Sequence, residues 1–199
     1  MITALRKAKS EVRKEFMNPI EIISEFYDPG SSSFHMLVRH GRQVAKKALG
    51  AAERVVHLNP DMAFVQQAAL LHDIGIFLTR APGLGCTGDK PYLCHGVLGR
   101  ELLEEKGLPR HALVCERHVG TGISADDIRR ADLPLPHRDM LPLTLEEELI
   151  CYADKFFSKT TNGNGKEKPV DKILWELSAH GKDKAEKFMA WHSKFGERP

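Results

Sequence analysis

A chain of 199 residues with 42% hydrophobic and 28% charged side chains can enclose a substantial core under a polar surface, so one soluble domain is expected. Its 29 basic and 27 acidic residues are spread along the whole length and leave a net charge of +2, which gives no polycationic stripe for a nucleic acid polymer. Four cysteines without a CxxC pair read as reduced thiols of a cytoplasmic protein, and no run approaches the ~20 apolar residues of a membrane span or the apolar stretch of a secretory signal.

In chain order, Asn18-Pro19 reads as a helix cap with proline at the first helical position, and Asp28-Pro29-Gly30 closes the short helix it opens. Ser31 to Ser33 offer capping hydroxyls for a long core helix in which Leu37, Val38, Val44, Ala45, Ala48, Ala51 and Ala52 fall near helical spacing. Asn59-Pro60-Asp61 stops it and caps the next helix, apolar from Phe64 to Leu71 and ending at His72 and Asp73. Arg80 to Pro91, with three glycines, two prolines and a Cys-Thr-Gly-Asp run, reads as a loop. Helical patterns resume from about Tyr92 to Glu105, Pro109 to Val119 and Thr144 to Lys159, the last opened by a Thr144/Glu147 capping box. Thr160 to Pro169 reads as a mobile loop before one or two final helices. No segment sustains the alternation of a strand, so the fold expected is an all-α bundle of about seven to nine helices.

The segment AALLHDIGIF puts an imidazole and a carboxylate where a core helix wants hydrophobes. Burying them unsatisfied would cost several kcal/mol, roughly, and a cation would compensate both. Taken alone the dipeptide fits a buried His–Asp hydrogen bond equally well. The wider pattern adds one histidine or aspartate on each of four further predicted helices: His40, His95, His118 and Asp154.

That pattern resembles the HD-domain superfamily of metal-dependent phosphohydrolases, in particular its small single-domain HDIG members. The residues that carry it are RHGRQVA for the first histidine, AALLHDIG for the centre, CHGVLGRELL and CERHVGTG for two later histidines, and LTLEEELICYADK for the final aspartate. The likeness spans about 35–155, with flanking helices on either side. It implies that His40, His72, Asp73 and Asp154 form the minimal metal site, that His95 and His118 add a second ion, and that Asp73 bridges the two. His72 and Asp73 are then the catalytic pair. Mixed imidazole and carboxylate ligands suit one or two divalent transition ions, Fe, Mn, Zn or Ni. His35 competes with His40 but lies on a different helical face. His57, His111, His137, His180 and His192 lack comparable context and read as surface or core histidines.

The resemblance implies hydrolysis of a phosphoester or phosphoanhydride, most plausibly of a small nucleotide, by metal-activated hydroxide at a mono- or binuclear site. Many relatives carry lysine after HDIG, where this chain has Ile76 and Phe77. Replacement cations are sought at Arg80, Lys90, Arg117 and Lys155, with Arg117 or Lys155 expected to reach the open face of the site. The same ligands would also serve a mixed-valent diiron oxygenase cleaving C–C or C–P bonds, or a catalytically silent nucleotide-binding regulatory module. A homo-oligomer is compatible with all three.

Overall fold

In the computed structural model, residues 17–160 and 166–197 are described. Among them nine α-helices follow in order: α1 (Pro19–Ser24), α2 (Ser32–Arg54), α3 (Met62–Leu71), α4 (His95–Glu105), α5 (Pro109–Arg117), α6 (Ala125–Arg130), α7 (Leu145–Asp154), α8 (Val170–Ser178) and α9 (Lys182–Phe195). The fold is all-α, as expected. The loop at 80–91 contains one small ribbon, β1 (Arg80–Ala81) antiparallel to β2 (Cys86–Thr87). Part of the loop expected at 160–169 and the N-terminal segment 1–16 lie outside the described residues. No described helix is long and apolar enough to cross a membrane.

The caps act as the sequence suggests. Asn18 Oδ1 accepts from Ile20 N–H at 3.0 Å, Ser31 Oγ from Phe34 N–H at 3.1 Å, and Asp61 Oδ1 from Phe64 N–H at 3.0 Å. Thr144 accepts from Glu147 N–H at 3.2 Å, but the reciprocal half of the expected capping box is absent. The Glu147 carboxylate accepts instead from Leu143 N–H at 2.7 Å and from Arg117. The helix also stops at Asp154 rather than Lys159. The amides of Phe156 and Phe157 fold back onto Ala153 and Asp154 carbonyls, which drives Phe156 into the core and turns the chain toward the site.

The apolar stripe of α2 forms the spine between two cores. Its second half packs with α3, α7, α8 and α9 around Val65, Ile150, Tyr152, Phe188 and Phe195. Its first half joins α1, α4 and α5 around Ile23, Leu37, Leu71, Ile74 and Leu103. Each such buried side chain stabilises the fold by roughly 1.5–3 kcal/mol. Close approach at two glycines brings the functional helices together. A Cβ on Gly41 would lie 3.0 Å from Leu70 Cα, so α2 and α3 touch beside His40. A Cβ on Gly75 would lie 2.3 Å from His95 O and 2.4 Å from Gly99 N, so the 3-10 turn Ile74–Leu78 rests directly on α4. That turn is held from the other side by buried Tyr27, whose hydroxyl donates to Ile74 O and accepts from Phe77 N–H, both at 3.0 Å.

Two thiols complete helix ends. Cys115 donates to Leu71 O and Cys151 to Arg117 O, each at 3.3 Å, satisfying the last carbonyls of α3 and α5. All four cysteines are free, and burial pushes the Cys115 and Cys151 thiols up, Cys151 to about 12. They are structural groups rather than nucleophiles.

Candidate metal centre

His72 and Asp73 occupy the break after α3, His40 the middle of α2, His95 the start of α4, His118 the residue after α5, and Asp154 the end of α7. The six side chains expected from the sequence meet in one place, each no more than 6% exposed. Around Asp73 Oδ2 lie His72 Nε2 at 3.1 Å and His40 Nε2 at 3.3 Å. Asp154 Oδ1 reaches the same two nitrogens at 3.4 and 2.9 Å. Asp73 Oδ1 faces the other way, 3.3 Å from His95 Nε2 and 3.2 Å from His118 Nε2. The carboxylate thus has one oxygen in each of two ligand clusters, His40/His72/Asp73/Asp154 and Asp73/His95/His118.

Ring orientation tests whether this arrangement suits a cation. His72, His95 and His118 each place Nδ1 at 2.7 Å from a backbone carbonyl three residues earlier, those of Ala69, Tyr92 and Cys115. A carbonyl oxygen only accepts, so these Nδ1 atoms carry hydrogen, and each ring in its neutral form turns a lone pair inward through Nε2. The Nε2 atoms of His95 and His118 stand 3.1 Å apart with Asp73 Oδ1 between them. With both rings neutral, three acceptors converge there with no hydrogen to share. His72 Nε2 and Asp73 Oδ1 have no hydrogen-bond partner among the described residues, and Asp73 Oδ2 has an ion-pair contact with Lys159. Buried acceptors in such numbers fit a divalent cation, with the carbonyls orienting the ligands from behind.

Charge follows the same division. Burial opposes ionisation of Asp73 and Asp154, yet His72 and Lys159 hold Asp73 well below the usual carboxylate range, and Lys155 and Lys159 do so for Asp154. Burial also opposes a charge on His72, but Asp73 and Asp154 outweigh it and push its pKa up to about 9. At His118 burial prevails and draws the pKa down to about 3, against the pull of Asp73.

Of the four cations sought from the sequence, Lys155 reaches the centre, with Nζ 2.8 Å from Asp154 Oδ2. Arg80 lines the cleft outside it. Arg117 does not reach the open face: its guanidinium donates to both oxygens of buried Glu147 at 2.9 and 3.0 Å, because the residue before His118 on a helical turn points away from the ligand. Lys90 projects to the surface beside Asp89. The cation missed is Lys159, whose Nζ lies 2.9 Å from Asp73 Oδ2 and 4.0 Å from Asp154 Oδ1. Only the early end of α7 brings it back, so no helical periodicity marked it. Tyr92 was also missed; it stacks on His95 with ring centroids 4.8 Å apart, and burial pushes its phenol up to about 12.

Of the remaining histidines, His57 and His137 are exposed, His111 is buried edge-on to Phe64, and His192 Nδ1 pairs with the Tyr152 hydroxyl at 2.9 Å. Exposed His180 sits at the rim of the cleft, an open cavity of about 560 Å³ whose wall includes Arg80, Tyr92, Asp154, Lys155 and Lys159.

The HD domain family model matches residues 37–158. An uncharacterised protein of Methanocaldococcus jannaschii is 39% identical over 101 residues, which is 50% of this chain and 52% of that protein. A tRNA (cytidine(56)-2'-O)-methyltransferase of Thermoplasma volcanium is 31% identical over 133 residues, 66% of this chain and 34% of the enzyme. The chain therefore spans about half the length of the first relative and about a third of the second. Among solved structures, the HD domain of the L. monocytogenes phosphodiesterase PgpH is similar over 80% of this chain and 83% of its own, with 19% identity and a TM-score of 0.49. The same domain in complex with cyclic-di-AMP covers 83% of this chain and 94% of its own, with 17% identity and a TM-score of 0.48.

Proposed function

We propose, from the premise that this chain belongs to the HD-domain family, that it is a metal-dependent phosphohydrolase acting on a phosphoester or phosphoanhydride of a small molecule, a nucleotide. The observation that carries this reading is the junction of two elements: two buried His/Asp clusters that share Asp73, and two lysines, Lys155 and Lys159, beside their carboxylates in the wall of an open cleft. His40, His72, Asp73 and Asp154 would hold one ion, and Asp73, His95 and His118 a second.

Divalent transition ions in this donor set, Fe, Mn, Zn or Ni, supply the Lewis acidity that polarises a phosphoryl oxygen and activates water. The chain's own groups do the rest. Ala69, Tyr92 and Cys115 carbonyls fix three imidazoles so that no ring has to turn to present its lone pair. Lys155 and Lys159 bring positive charge to the mouth of the centre, where an anionic phosphate would take over part of the pairing now made by Asp154 and Asp73. Tyr92 keeps its proton at the same wall and can donate a hydrogen bond there. The missing lysine after HDIG is thereby replaced from a distant part of the chain.

The test uses the metal-loaded protein with nucleotides and phosphomonoesters under anaerobic conditions. Phosphate release is expected, and Lys159→Met is expected to lower kcat/KM at least about tenfold with unchanged metal content. Oxygen consumption with an organic substrate and no phosphate release with any ion would instead establish oxygenase chemistry at this centre.

A further inference from the structure

A second cavity, of about 370 Å³, adjoins the cleft and shares Gly120, Leu177 and His180 with it. Leu93, Val119, Ile123, Leu133 and Leu177 line it, contributed by the turn before α4, the segments after α5 and α6, and α8. Within this apolar wall stands Thr121, 1% exposed, whose hydroxyl has no hydrogen-bond partner among the described residues. A buried hydroxyl in that state destabilises the fold, and the polar edge of a ligand would offset that cost. The charged groups at the rim are already matched: Lys184 and Arg130 bind the two oxygens of Asp127 at 2.5 and 2.6 Å.

We propose that this annex is a base-binding subsite that holds the nucleobase of a nucleotide whose phosphate lies at Lys155, Lys159 and the metal centre. The inference rests on the phosphohydrolase reading and names the part of the substrate that reading leaves open. A nucleobase is flat, apolar on its faces and polar along its edge, which meets the leucine, valine and isoleucine wall and the Thr121 hydroxyl together. An alkyl chain would leave Thr121 unsatisfied, and a second ionic group would meet a rim without free charge. The annex volume falls within the ~300–1,000 Å³ of small-molecule sites. Thr121 is also held in place: Gly120 and Gly122 flank it with φ of 62° and 93°, and a Cβ at Gly122 would lie 2.7 Å from Pro142 Cδ. A threonine hydroxyl both donates and accepts, so it recognises a base edge without choosing one base.

The metal-loaded full chain is assayed with the four common nucleoside 5′-monophosphates and with ribose 5-phosphate, and the four nucleosides are titrated by calorimetry. Ile123→Trp and, from the opposite wall, Leu133→Trp fill the annex, while Thr121→Val removes the hydroxyl alone. Both tryptophan variants are expected to lower kcat/KM for at least one nucleotide about tenfold or more, with ribose 5-phosphate changed less than about twofold. Thr121→Val should lower the same nucleotide about fivefold. The corresponding nucleoside binds the unmodified protein and not the tryptophan variants. Equal losses for nucleotides and ribose 5-phosphate, unchanged nucleotide kinetics in both tryptophan variants, or no nucleoside binding, would overturn the subsite. Nucleoside binding that the tryptophan variants abolish, with no phosphate release from any compound, would keep the subsite and overturn the hydrolase reading.

Discussion

On the His40 side of Asp73 the centre gathers two carboxylates, each paired with a lysine; on the His118 side it offers two imidazoles and one carboxylate oxygen with no lysine paired to it. The cation nearest in sequence to the second side, Arg117, is turned to Glu147. The first half therefore gathers opposite charges, whereas the second is built around two imidazoles and one carboxylate oxygen, and burial makes His118 hard to protonate. On the proposed function, an ion at the first half would compete with lysine charge for the carboxylates, and an ion at the second would not.

The largest effect should come from the residue common to both sides. Asp73→Ala is expected to strip the protein of both ions and to lower phosphate release about 10³-fold or more, roughly 4 kcal/mol of transition-state stabilisation, as read by elemental analysis and initial rates. Retention of a full metal complement would break the bridging assignment.

Next in size are the changes that separate the halves. His118→Ala should cost one ion and about 10²-fold in rate, while Asp154→Ala should cost the other ion and leave the His95/His118 side loaded. Loss of both ions in both variants would mean that the halves act as one site.

The smallest effect tests the cation that faces away. Arg117→Met should leave metal content and kcat/KM within about a factor of two of the unmodified protein, yet strand buried Glu147 and lower stability by about 2 kcal/mol in thermal or urea unfolding. A large rise in KM without loss of stability would return Arg117 to the substrate side.

His72 and Asp73 stood out as polar groups at the end of an apolar helix, whereas His40, His95, His118 and Asp154 were legible through their order in the resemblance to the HD family. The caps at Asn18, Ser31 and Asp61 were legible because their signals are local. Lys159 was hidden because it reaches Asp73 through a turn after Asp154 that extrapolated helical spacing runs straight past. Arg117 misled because adjacency in sequence on a helix means a rotation of about 100°, so a neighbour of a ligand points elsewhere. The annex beside Thr121 is assembled from four separated segments and leaves no pattern in any one of them. Gly75 could be seen as part of HDIG, but its reason lay in the 2.3 Å that a methyl group would leave to His95 O.

The carbonyls behind His72 and His118 tie the orientation of these rings to where two helices stop. Were α3 or α5 carried one turn further, the amide of Asp73 or Val119 would compete for the oxygen of Ala69 or Cys115 that now holds an imidazole proton. Engineering that lengthens these helices to raise heat tolerance would thus loosen these rings, and on the proposed function a hardier protein would emerge as a poorer catalyst.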